Sequence, residues 1–159
     1  MIYKNADVRE ILEREHAEFA DVVIRRARAV EKIREELTRK NGQPKYVDPN
    51  DQRIVYASPL VDIAANVELT DETIAICLVI LELTNWQIRL LSKSPLIARI
   101  AKAIPEEYKD RVIFGLSTGT LDDRLAAAIE LGAPLVSKRI QALHWLQDNG
   151  YRTFAMLCP

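Results

Sequence analysis

The chain has 159 residues and 18.1 kDa, 48% of them hydrophobic and 28% charged, which gives room for one core and the ordinary balance of a soluble globular domain. Twenty-two Lys and Arg against 23 Asp and Glu leave a net charge of −1, so no global excess draws the protein to nucleic acid or an anionic membrane, and only local patches could do so. Two cysteines, Cys77 and Cys158, allow at most one disulfide and cannot supply a four-thiolate zinc site or an all-cysteine iron-sulfur cluster.

Residues 5–14 are charged where a secretory leader needs an apolar core, and no stretch approaches 18 apolar residues, so the expected location is cytoplasmic, without a membrane span. From Asp7 to Lys40 there is no Gly or Pro, and Val8, Leu12, Phe19, Val23, Val30, Ile33 and Leu37 recur at helical steps. Residues 1–40 therefore read as a helical arm, as one helix or as two broken near the β-branched run Val22-Val23-Ile24. Glu10 with Arg14, Glu35 with Arg39 and Glu36 with Lys40 form acid-first i,i+4 pairs. These charges read as a solvated face, the alternative being a nucleic-acid contact by Arg25, Arg26 and Arg28.

Residues 41–52, rich in Pro, Gly, Asn and Asp, form a loop, and residues 53–159 follow as an α/β domain. The predicted elements are a strand over 53–57, a helix from an N-cap at Thr70 through Leu83, and a strand over 87–91. Ser94-Pro95 then cap a helix reaching Ala103, one further turn covers 105–110, and a strand covers 111–117. Thr120 caps a helix ending near Glu130, Pro134 opens another that stops at Asn149-Gly150, and a last strand covers 152–157. Such alternation implies a parallel sheet of about four strands. A complete eightfold barrel needs at least about 200 residues and this part has about 110, so the fold expected is a partial (β/α) barrel or an open parallel sheet.

Ligands of parallel sheets bind at the C-terminal strand ends. Here those ends are Ser58-Pro59, Ser92-Lys93-Ser94, Ser117-Thr118-Gly119-Thr120 and Cys158-Pro159. Small hydroxyls with a lysine beside helix N-termini suit a carboxylate or phosphate, although Ser94 and Thr120 could equally be plain helix caps. Asp62, Asp71, Asp122 and Asp123 read as partners of helix N-termini, His16 and His144 as packing residues, and Cys77 as a small buried hydrophobe. There is no GxGxxG, P-loop, GxSxG or HExxH.

Four pieces in order, Leu91-Ser92-Lys93-Ser94, residues 111–118, residues 130–140 and Gly150-Tyr151 before a strand ending in Cys158-Pro159, resemble the central part of radical S-adenosylmethionine proteins of the spore photoproduct lyase and "DNA repair photolyase" group. The resemblance covers about residues 53 to 159, with residues 1–40 more loosely similar to the helical stretch after that family's cluster loop. It implies a partial barrel in which a [4Fe-4S] cluster reduces S-adenosylmethionine to a 5′-deoxyadenosyl radical. By position, Lys93 is similar to the lysine that contacts the methionine carboxylate and Ser117 to a hydroxyl residue beside it; Ser92 and Ser58 complete the candidate cofactor-binding set, and Arg139 matches a recurrent arginine with a structural role.

The family's CxxxCxxC cluster loop does not occur in the chain and would be expected just upstream of Met1, and Leu131 stands where a proline is usual. The expectation is an internal segment of a radical S-adenosylmethionine barrel, not catalytic alone. An alternative is a non-catalytic inhibitor or scaffold, phage or mobile-element encoded, that reuses the half barrel. A third is an unrelated α/β enzyme acting on a phosphorylated or carboxylated small molecule. An open sheet exposes edges and an apolar inner face, so a second copy or another protein chain is expected to cover it.

Overall fold

In the computed structural model, residues 26–57 and 62–157 are described. They form helix α1 (Ala29–Leu37), strand β1 (Ile54–Ala57), α2 (Val67–Leu83), β2 (Gln87–Ser92), α3 (Ile97–Ala103), a 3-10 turn (Glu106–Arg111), β3 (Val112–Thr118), α4 (Asp123–Ile129), α5 (Val136–Asp148) and β4 (Arg152–Leu157). All strand pairs are parallel and the order is β1-β2-β3-β4. The predicted class, an α/β chain with an open four-stranded parallel sheet, is the observed one. No helix among the described residues is long and apolar enough to cross a membrane.

Each crossover steps to the next strand in the same direction, an arrangement that collects the connecting helices on one face. The strand side chains follow suit. Ile88, Leu90, Val112, Phe114 and Leu116 are sealed against Cys77, Leu81, Ile97, Ile100 and Leu146 of the helices. On the opposite face Ile54, Tyr56, Arg89 and Met156 are exposed. Cys77 is a small buried hydrophobe as expected, and burial pushes its thiol up to about 12.

Several boundaries differ from the expectation for local reasons. The helical arm lies outside the described residues up to 25, and its described helix ends at Leu37 rather than Lys40. Thr38 turns extended and donates its hydroxyl to the Arg34 carbonyl, while Lys45 Nζ caps the carbonyls of Glu35 and Glu36. Glu35 consequently pairs with Arg28, not Arg39. Leu37 belongs to the core and α1 packs on α2. Helix α2 begins a turn early because Asn66, not Thr70, accepts from the Leu69 N–H; Thr70 is buried and donates to the Asn66 carbonyl. Asp122, not Thr120, caps α4, accepting from the N–H groups of Arg124 and Leu125, with the Thr120 hydroxyl two residues earlier accepting from the Asp122 N–H.

Candidate functional site

The loops after β1 and β2 and the connection between α4 and α5 meet in a cleft of about 480 Å³ at the C-terminal edge of the sheet, lined by Asp62, Lys93, Ser94, Glu130, Gly132 and Pro134. Lys93 follows the last residue of β2. Its ammonium lies 2.6 Å from Glu130 Oε1, and its side chain is 42% exposed. Glu130 is the C-cap of α4, and its other oxygen is 2.6 Å from a guanidinium nitrogen of Arg139, an ion-pair contact rather than an aligned hydrogen bond.

Arg139 projects from α5 and is 2% exposed. Its Nε donates to the Pro134 carbonyl at 2.8 Å and another nitrogen donates to the Ser117 carbonyl at 3.0 Å. A buried guanidinium needs several partners, and this planar fork finds two carbonyl acceptors and one carboxylate ion partner. Arg139 thus holds the end of β3, the entry to α5 and, through Glu130, the lysine at the end of β2. Burial works against the Glu130 carboxylate, but Lys93 and Arg139 outweigh it and hold its pKa below the ordinary value.

A second carboxylate builds the floor. Asp62 accepts from the Ala64 N–H at 2.9 Å, from the Ser92 hydroxyl at 2.6 Å and from the Lys93 N–H at 2.7 Å. By its place in the sequence Asp62 reads as a helix N-terminal partner. Instead it sits ahead of Asn66 and fixes the β2 turn, a role decided across 30 residues of sequence. Asp71 pairs with Arg99, whereas Asp122 and Asp123 do serve helix starts, Asp123 by accepting from the Ser137 N–H.

The predicted site residues therefore have different fates. Lys93 faces the cleft. Ser117 is nearly buried at the end of β3, joined to Lys93 through its carbonyl, Arg139 and Glu130. The Ser92 hydroxyl is occupied in holding Asp62 and accepting from the Ser94 N–H. Ser58 and Cys158 lie outside the described residues. Glu130 and Asp62 were missed as site residues; a carboxylate between a strand-end lysine and an arginine nine residues on was the available signal for the first.

Chemically the Lys93 corner can receive an anion. An ammonium has three donors, and one is directed at Glu130. The other face of the sheet carries a separate groove of about 660 Å³ lined by Ile54, Tyr56, Arg89, Phe154, Met156 and Leu157. Phe154 lies over Gly115, where a methyl group would collide with its ring, and the Arg89 guanidinium stacks 4.1 Å from the ring centre. Compared with known proteins, the chain matches no family model, no curated protein and no solved structure.

Proposed function

We propose that this chain is a radical S-adenosylmethionine-like half barrel whose strand-end cleft takes the methionine carboxylate of S-adenosylmethionine on Lys93, and that it does no radical chemistry as an isolated chain. The observation that carries the reading is the Lys93–Glu130–Arg139 chain: two cations around one carboxylate, with the outer cation on the cleft at the end of β2. Bound S-adenosylmethionine supplies the 5′-deoxyadenosyl group in the family that the sequence resembles. In this chain Lys93 would hold its carboxylate, and Arg139 and Glu130 would keep that lysine placed.

The cluster does not fit these residues. Three thiolates cannot come from two cysteines, and Cys77 is sealed in the core with its thiol held protonated. Titration calorimetry with S-adenosylmethionine tests the first half of the proposal. Binding is expected, weakened at least about tenfold by Lys93→Ala, the loss of one charge-assisted contact. No heat with the wild-type chain would overturn it. For the second half, anaerobic reconstitution with iron and sulfide is expected to leave no stoichiometric [4Fe-4S] signal, and such a signal would reverse the conclusion.

The open sheet face favours a second reading, a non-catalytic binding module in which another protein covers Tyr56, Met156 and Leu157. It is distinguished by hydrogen exchange. Amides of β1 and β4 protected in material copurified from the host, but not in the isolated chain, together with no S-adenosylmethionine binding, would select it.

A further inference from the structure

The strand-end cleft is lined by both signs of charge, Lys93 after β2 and Asp62 ahead of α2. Three neutral donors, the N–H groups of Ala64 and Lys93 and the Ser92 hydroxyl, hold the Asp62 carboxylate, and among the described residues no cation pairs with it. A carboxylate offers about four acceptor positions, so one is left, on the oxygen that takes only the Lys93 N–H. The Lys93 ammonium shows the complement, with one of its three donors directed at Glu130 and two left over.

Counted with Arg139 behind Glu130, two cations meet two carboxylates here, and the site's own charges cancel. A phosphate dianion or a plain carboxylate entering beside Lys93 also meets Glu130 and Asp62, like charges that subtract from its attraction. A ligand that carries a cation next to its carboxylate keeps the balance. We infer that Asp62 is the charge-selecting residue of this cleft: it admits a zwitterionic α-amino acid, accepting the ammonium while Lys93 takes the carboxylate, and disfavours phosphates and plain carboxylates. The inference rests on the Lys93 carboxylate site proposed above and adds the class of ligand.

Two further observations fit that class. The Asp62 carboxylate is tied to the Lys93 N–H and the ammonium ends the same residue's side chain, so the two charged groups lie within the reach of one lysine, a span that an α-amino acid and two hydrogen bonds can bridge. The rest of the lining is apolar, from Ala65, Ile129, Leu131, Ala133 and Pro134, which suits an amino acid with an apolar side chain.

Amide NMR titration of the full chain with L-methionine, with its deaminated analogue methylthiobutanoate and with inorganic phosphate tests this, read at the amides of Lys93 and Gly132. Methionine is expected to shift both amides and to bind at least about tenfold more tightly than either of the others. Asp62→Asn is expected to erase the preference, bringing methionine and its analogue within about twofold, whereas Lys93→Ala weakens both. Equal affinities of the wild-type chain for methionine and the analogue, both reduced by Lys93→Ala, overturn the selectivity and leave the carboxylate site standing. Phosphate binding more tightly than methionine overturns it as well. If none of the three shifts these amides the inference falls, and the calorimetry with S-adenosylmethionine decides separately whether the carboxylate site falls with it. Should Asp62→Asn fail to fold, since Asp62 also holds Ser92 and the β2 turn, the wild-type ligand series decides alone.

Discussion

On the helix side of the sheet, Ile88, Leu90, Val112, Phe114 and Leu116 are sealed by three packed helices, whereas on the other side Tyr56, Arg89 and Met156 meet solvent and Phe154 is the main cover over Gly115. Both faces come from the same strands, alternating residue by residue. The contrast teaches that the strands satisfy the core mainly with every second residue, while the opposite face is covered at Leu91, Gly115 and Ser117 and open at Tyr56, Arg89 and Met156. A sheet made for stability alone would be layered on both faces, as parallel sheets almost always are. The candidate cleft lies at the edge where the two faces meet, and its parts are held from the sealed side by Arg139 and Asp62.

The largest effect should come from the sealed face. Phe114→Ala removes a fully buried ring packed edge-on against Tyr151 and is expected to cost about 3–5 kcal/mol in urea unfolding. An effect near zero would mean the two faces do not differ as described. Next is the link between the faces. Glu130→Gln leaves buried Arg139 without its ionic partner and is expected to cost about 1–3 kcal/mol.

That contribution has a definite pH dependence. Because the folded-state pKa of Glu130 is depressed, its stabilisation is complete above the unfolded-state value and is lost as pH falls through the folded-state value. Acid unfolding monitored by fluorescence should therefore differ between wild type and Glu130→Gln at neutral pH, with the difference shrinking on acidification. A gap that widened toward low pH would contradict the assignment.

On the open face a smaller cost is expected, since a displaced ring can swing into solvent. Gly115→Ala should push Phe154 off the sheet at about 1 kcal/mol, and the penalty should vanish in a Phe154→Ala background, a non-additivity that a double-mutant cycle reads directly. Equal penalties in both backgrounds would place the clash elsewhere. Smallest of all is the stability effect of Lys93→Ala, below about 1 kcal/mol because the lysine is partly solvated, although the same change should remove most anion binding. A large loss of stability there would make Lys93 a structural residue.

Much of this was legible in the amino-acid order. Strand and helix positions, the parallel open sheet and the terminal Asn149-Gly150 stop depend on local periodicity and on residues such as Gly150, whose φ of 74° suits glycine. Lys93 is legible in the same way as a strand-end cation, whereas a structural role for Arg139 is implied only by the family resemblance. The helix starts were read less well, because Asn66 and Thr70, or Thr120 and Asp122, are rival caps within a few residues and packing chooses between them.

What the sequence by itself determined is the class of fold, an open parallel sheet with crossover helices, since that follows from hydrophobic period and chain length. Only the tertiary structure decided that Lys93 is held by Glu130, that Ser92 is spent on Asp62, that Phe154 roofs Gly115 and that Leu125 and Ile129 of α4 are exposed. The physical reason is distance along the chain: charge pairs, ring contacts and exposure join residues tens of positions apart, where no local preference acts and only the packing of the whole domain sets who meets whom.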